Sequence, residues 1–214
     1  MLVGNRMSQP LVTVSPDLTL PDAFTLMKDK NIRRLVVVKD GKMVGLVTKN
    51  DLENAMPTKA TSLSIWEINY LIDKIKVKDV MEKAVVTTTE DTPIETAAQL
   101  MVEHKVSALP VMRKDAVVGM ITESDLFRLF MELFGAEFEG VRVVVEMSVK
   151  PGSMAALSKQ IYEAGGDIIA FFGTISEGMR ESDLVTMKVR GVELDALKAV
   201  IEPLIVKIVD IRAV

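Results

Sequence analysis

The chain has 214 residues, 49% of them apolar and 26% charged, with a net charge of −4, one histidine and no cysteine. That is the profile of a folded chain long enough for two modest domains, and it excludes disulfides, thiolate nucleophiles and cysteine-ligated zinc. The acidic balance, with no basic run interleaved with aromatics, speaks against nucleic acid as a partner.

Residues Met1 to Pro10 lack the basic segment and apolar run of a signal peptide. No stretch approaches the roughly 18 apolar residues of a membrane span. The expected location is therefore cytoplasmic, without a membrane partner. A single histidine, His104, leaves no basis for a multi-histidine metal site, and no metal site is expected.

The first half is organised by an internal repeat. A shift of 74 residues, the distance from Met7 to Met81, aligns the chain with itself without a gap, giving fourteen identities over positions 7 to 52. Each copy starts with a short extended segment, Leu11 to Val14 and Val85 to Thr88. An amphipathic helix follows, spaced by Ala23, Leu26, Met27 and Lys30, then by Ala97, Leu100, Met101 and His104. Two β-branched strands come next, Arg34 to Val38 with Met43 to Thr48, and Ala108 to Met112 with Val117 to Thr122. Asp40-Gly41 and Lys114-Asp115 stand where a hairpin turn is wanted, and a second helix begins after each hairpin. A β-α-β-β-α unit of this size leaves one sheet face bare, so two copies are expected to pack sheet to sheet, with a ligand cleft between them.

Between the copies, Leu63 to Ile72 reads as a short helix laid against the pair. Trp66 and Tyr70 share a face of it, with packing onto the repeats as their expected role.

One segment recurs with chemistry in it: Gly45-Leu46-Val47-Thr48-Lys49-Asn50-Asp51-Leu52 and Gly119-Met120-Ile121-Thr122-Glu123-Ser124-Asp125-Leu126. Threonine followed three residues later by aspartate is a capping box at a strand-to-helix junction and needs no ligand. The same geometry suits a ligand, because a hydroxyl at a helix start holds phosphate and a carboxylate accepts from ribose hydroxyls. Spacing alone leaves both open, and the duplication beside one cleft favours the ligand.

The repeat, over about Val3 to Phe134, resembles the CBS domain, which occurs as tandem pairs. The Gly-x-x-Thr-x-x-Asp motif is present in both copies, and Leu109-Pro110-Val111 matches a second recurring element. The resemblance implies binding of an adenosine nucleotide (AMP, ADP, ATP) or S-adenosylmethionine as a regulatory ligand. Carried over by residue, Asp51 and Asp125 would hold ribose, and Thr48 and Thr122 would reach phosphate or ribose. Thr13 and Thr87 would line the adenine side. Arg33-Arg34 stand where some nucleotide-binding members carry phosphate-binding residues, although a solvated patch is the plain alternative. The second copy has Ser107-Ala108 there, which leaves the Thr48/Asp51 site without charge. The expected better site therefore joins Thr122 and Asp125 to Arg33 and Arg34.

From Val141 the pattern changes. A strand to Val149, a helix Ser153 to Ala164, a strand Ile168 to Ile175, a polar loop Ser176 to Ser182, a strand Leu184 to Arg190, a helix Glu193 to Leu204 and a strand Ile205 to Val214 give β-α-β-β-α-β. That is the split ferredoxin-like order. With Val149 to Ala155 before the first helix and Gly165-Gly166-Asp167-Ile168 after it, the segment resembles the ACT domain, a small-molecule sensing module. The resemblance implies an amino-acid site at Gly152, Ser153 and Asp167. A turn with a helix cap accounts for Pro151-Gly152-Ser153 equally well, and homodimerisation through this domain is the expected role.

The predicted fold is α/β (α+β), a tandem pair with pseudo-two-fold symmetry in residues 1–134 and an ACT-like domain in 141–214. Within the pair the first module covers about 3–56, a helical insert about 57–76 and the second module about 77–134, and Glu132 to Glu139 are expected to join the halves. The whole order, together with the insert segment Ala60 to Glu67, resembles the acetoin-utilisation regulatory family of bacteria and archaea. The expected function is ligand sensing without catalysis, transmitted to an unidentified protein partner and exercised as a homodimer. A purely structural or oligomerisation module is the alternative, and an enzyme of acetoin metabolism is a weaker one.

Overall fold

The structure, a computed structural model, describes residues 1–56, 65–148, 150–174 and 182–214. It divides into two compact units, Met1–Leu126 and Phe127–Val214.

In the first unit, β1 (Thr13–Val14) leads to α1 (Leu20–Asp29), the hairpin β2 (Arg34–Lys39) and β3 (Lys42–Thr48), and then α2 (Lys49–Asn54). The insert helix α3 (Ile65–Ile72) and one turn, α4 (Val77–Val80), connect to the second copy. That copy runs β4 (Thr88–Thr89), α5 (Ile94–His104), β5 (Ala108–Arg113), β6 (Ala116–Thr122) and the start of α6 (Glu123–Leu133), whose residues from Phe127 on belong to the second unit. The bounds of β2 and β3 fall on those of β5 and β6 at the 74-residue shift seen in Met7 and Met81. Each copy forms a three-stranded sheet, ordered β1-β2-β3 and β4-β5-β6, with the first pair parallel and the hairpin antiparallel. Asp40 and Gly41 both take positive φ, as a two-residue turn between right-twisted strands requires.

Alternation along the strands sorts their side chains into two layers. Leu35, Val37 and Val47 face α1 and α2 in one core, and Leu109, Val111 and Ile121 face α5 in its counterpart. Val36, Ala108 and Met120 form a third apolar layer with Leu11, Val38 and Leu46, joining the two sheets. The sheet-to-sheet packing expected from the repeat is therefore present.

The leading segment of each copy, however, packs on the other copy. Val3 is buried in the second core, and Val77 is buried in the first. Ser8 N donates to Met120 O at 2.8 Å, and Glu82 N donates to Leu46 O at 2.8 Å. The repeats are thus laced together by exchanged strand-like segments.

Trp66 and Tyr70 are 85% and 62% exposed, which corrects the expectation that they pack onto the repeats. Ile72, further along α3, meets the first core. Residues 57–64, which hold most of the insert segment, lie outside the described residues.

Thr88 is 5% exposed and its Oγ1 has no hydrogen-bond partner among the described residues, whereas Val14 fills the matching position in the first copy. A buried hydroxyl left unpaired costs roughly 1–3 kcal/mol. Thr88→Val should raise the stability of the first unit by about 1 kcal/mol, read from its urea midpoint. No change, or a loss, would mean that the hydroxyl is satisfied in solution.

The second unit orders its elements as β7 (Val141–Ser148), α7 (Ser153–Glu163), β8 (Asp167–Thr174), β9 (Ser182–Arg190), α8 (Leu194–Ile201), a 3-10 turn at Glu202–Leu204 and β10 (Lys207–Ala213). The sheet is antiparallel throughout, in the order β10-β7-β9-β8. Val143, Val145, Met187 and Val189 pack against Leu157, Ile161, Leu197 and Ile201 from the two helices. Val149, Ile175 and most of the loop expected at 176–182 lie outside the described residues.

Residues 127–140 do not form a free connector. Phe134 packs on Phe172 of β8 with ring centroids 3.7 Å apart and the planes tilted by 44°, and Lys188, 6% exposed, donates from Nζ to Gly135 O at 3.0 Å. Gly135 follows α6 with φ +61, a conformation that favours glycine, so the helix ends against this sheet. The lysine meets a carbonyl at the negative end of a helix, which compensates its burial. The segment Glu132 to Glu139, expected to join the halves, thus packs within the second unit.

Candidate functional site

Both Thr-x-x-Asp segments form complete capping boxes. Thr48 N and Oγ1 donate to Asp51 Oδ2 at 2.8 and 2.7 Å, and Asp51 N returns a bond to Thr48 Oγ1 at 3.3 Å. Thr122 and Asp125 repeat this at 2.9, 2.7 and 3.4 Å. Asp125 is 6% exposed, and its second oxygen stands 3.5 Å from Ser8 Oγ on the exchanged segment. One oxygen of each carboxylate is therefore committed to holding its helix start.

The glycines of the same motifs serve the exchange. A Cβ on Gly45 would stand 2.7 Å from Glu82 O and 2.7 Å from Met81 Sδ. On Gly119 it would stand 2.6 Å from Met7 Sδ and 3.2 Å from Ser8 O. Glycine is needed here because another chain segment crosses against the strand.

Two cavities of the first unit are lined by residues of both copies, and a third, of about 490 Å³, lies against the first copy alone between Phe24, Met27, Ile32, Arg33 and Lys49. The first, about 500 Å³, has an apolar side of Pro10, Leu11, Val12, Ile32 and Met120. Its polar side carries Ser8, Arg33, Arg34, Ser107, Thr122, Glu123 and Ser124. The second, about 480 Å³, is lined by Thr48, Lys49, Asn50 and Glu53 together with the same Arg33, Arg34 and Ser107. Arg34 donates to Ser107 Oγ across the two repeats. Its burial pulls its pKa below the ordinary arginine value, while Glu123 acts to raise it.

The structure thus brings Arg33, Arg34 and Thr122 to one cavity, and Arg33, Arg34 and Thr48 to the other. It corrects the expectation that the Thr48 side has no charge, because the arginines face both sides and Lys49 adds a third cation. Asp51, Asp125, Thr13, Thr87 and Ala108 line neither cavity. The aspartates are turned into their caps, Thr13 is exposed on the short β1, and Ala108 lies in the apolar layer between the sheets. His104 is exposed at the end of α5. The residues that sequence reasoning missed are Ser8, Leu11, Val12, Met120, Lys49 and Glu123. The last two were visible as the variable position after each motif threonine.

In the second unit a cavity of about 590 Å³ is lined by Gly152 and Ser153 at the start of α7, by Lys150 and Asp183, and by Met147, Met154 and Phe171 among others. Gly152 takes φ +90 as the residue before α7. Asp167 is not brought to this cavity, since its carboxylate is held 2.7 Å from Arg190 on β9.

A sequence profile of the CBS domain matches residues 3–58 and 77–132, and the chain belongs to the CBS-domain family. CBS domains are generally non-catalytic regulatory modules, found also as parts of larger enzymes. Among the described residues no group of three or more histidine, aspartate or glutamate side chains could hold a metal ion, and no helix is long and apolar enough to cross a membrane. The CBS-domain pair of protein MJ0100, solved with 5′-methylthioadenosine and S-adenosyl-L-methionine, is 27% identical and has a TM-score of 0.52, covering 64% of this chain and 98% of that one. An acetoin utilization protein (AcuB) from Vibrio cholerae is 28% identical with a TM-score of 0.53, covering 64% and 95%. The protein CBSX2, solved with AMP, is 29% identical with a TM-score of 0.50, covering 61% and 96%. Among curated proteins, the homoserine O-acetyltransferase of Methanohalobium evestigatum is 35% identical over 61% of this chain, which spans only 24% of that enzyme.

Proposed function

We propose that the protein senses an adenosine compound in the cavity bounded by Leu11, Val12, Ile32, Met120, Arg33, Arg34 and Thr122, and passes its occupancy to a partner. The observation that carries this reading is the pairing, within one cavity, of an apolar wall fit for a purine with hydroxyls and cations fit for ribose and a 5′ substituent. The adenosine compounds in the related MJ0100 and CBSX2 structures support it. Thr122, with Arg33 and Arg34, makes the better site, and Asp125 acts there only by holding Thr122 through the capping box. The Thr48 and Asp51 side has the cations without an apolar wall.

A second ligand position belongs to the 141–214 domain, read as ferredoxin-like and of the ACT type. Its β-α-β-β-α-β order and strand order support that reading. The cavity at Gly152 and Ser153 offers Lys150 for a carboxylate, Asp183 for an ammonium group and Phe171 for a side chain, the complement of a free amino acid. Self-association is part of the proposal, and the exposed apolar stripe of Phe127, Phe130 and Met131 on α6 supports it. A role in acetoin or related carbon metabolism rests on the likeness to the Vibrio cholerae protein.

The test is a thermal-shift panel of 5′-methylthioadenosine, S-adenosylmethionine, AMP, ADP, ATP and the amino acids, with light scattering on the same sample. A ligand at a hundred times its Kd stabilises the folded state by about 2.7 kcal/mol. At least one adenosine compound should raise the melting temperature of the first unit. If none does, the sensing reading fails, and a lone 23.6 kDa species at micromolar concentration would refute self-association.

A further inference from the structure

The two cavities lined by both copies are related by the repeat, yet they are chemically unlike, and they share a wall. Arg33, Arg34 and Ser107 line both. Only the first has an apolar side, and the second is lined by polar and charged residues alone. At matched positions after the motif threonines stand Glu123 in the first and Lys49 in the second. Glu123 repels a phosphate held close to Thr122, whereas the arginine wall and Lys49 attract one drawn the other way.

Resting on the proposed adenosine site, we infer that the two cavities take one ligand between them, a purine nucleoside carrying two or three phosphates. The base lies against Leu11, Val12, Ile32 and Met120. The phosphate chain crosses Arg34 and Arg33, and its end reaches Lys49. A monophosphate is too short to use the second cavity fully, so affinity climbs with phosphate number. Lys49 is thereby a specificity-determining residue that discriminates tail length rather than base. Its ion pair with Glu53, at 3.3 Å between exposed side chains, is weak enough to yield to a phosphate.

Calorimetry on the full chain with adenosine, AMP, ADP and ATP, in EDTA, tests this in the wild type, Lys49→Gln and Glu123→Gln. Lys49 is exposed, so its replacement leaves the fold intact, which a melting curve of each variant checks. The wild type should bind ATP more tightly than AMP, at one ATP per chain. Lys49→Gln should weaken ATP about fivefold to tenfold, as befits a charge-assisted bond partly screened by water, and AMP less than twofold. Glu123→Gln should narrow the gap between AMP and ATP, because a phosphate near Thr122 is then no longer repelled. Equal affinity for adenosine and ATP, an equal effect of Lys49→Gln on AMP and ATP, or two ATP molecules per chain would overturn the shared-tail inference while leaving adenosine sensing in place. Absence of binding by all four compounds would remove both.

Discussion

Gly45→Ala is expected to destabilise the first unit by about 3 kcal/mol, near the upper end of what overpacking costs. The added methyl would sit 2.7 Å from Glu82 O, a backbone atom fixed by its own strand-like pairing with Leu46. Neither chain can retreat without breaking the paired bonds of 2.9 and 2.8 Å between Leu46 and Glu82. Gly119→Ala should cost less, roughly 1–2 kcal/mol, because its nearest neighbour is the flexible Met7 thioether and Ser8 O is 3.2 Å away. Urea unfolding gives the magnitudes, and hydrogen exchange at the Leu46 and Glu82 amides reports the mechanism. If Gly45→Ala were as stable as wild type, the close crossing at β3 would be wrong. An equal loss in both variants would contradict the distinction between backbone and side-chain neighbours.

Phe134→Ala should remove about 2–3 kcal/mol from the second unit and leave the first unchanged. Its ring packs between the tilted rings of Phe130 and Phe172, at 3.9 and 3.7 Å between centroids, and truncating a partly buried phenylalanine loses that contact and leaves a gap. Exchange rates of the β8 and β9 amides should rise, while those of Leu35 and Val36 should not. Phe138→Ala, at an exposed ring, is the control and should change little. A loss spread over both units, or none, would deny that the end of α6 belongs to the second.

Much of this architecture was legible in the sequence, for identifiable reasons. The strands of each hairpin were found because β-branched runs are bounded by Asp40-Gly41 and Lys114-Asp115 and recur at one offset. The capping boxes were found because threonine and aspartate three residues apart at a strand-to-helix junction satisfy two free amides whether or not a ligand binds. What escaped was anything decided by the partner rather than by the segment. Self-similarity marks Val3 and Val77 as equivalent, but it does not say which copy each packs upon. The spacing of Trp66 and Tyr70 matches that of a packed helix face, although their side chains meet solvent. Phe127 to Phe134 continue the apolar spacing of α6, and the role of their end depended on Phe172 and Lys188, far along the chain. At the site, Thr48 and Thr122 were recognised as types, whereas the opposition of Lys49 and Glu123 gained meaning only once Arg33 and Arg34 were seen to face both cavities.

The exchange of leading segments also sets an order of assembly while the chain is being made. The first core needs nothing beyond Met81, so it can close early around Val77. Ser8 must wait for Met120, and Val3 for the strands around Leu109 and Ile121. At about 5–20 residues per second that wait is on the order of ten seconds on the ribosome. Throughout it residues 3–8 stay an unclaimed strand, able to pair with β6 of a neighbouring nascent copy as readily as with their own. Crowded polysomes should therefore favour entwined dimers in which residues 3–8 have changed molecules, and slower or sparser translation should favour self-contained ones.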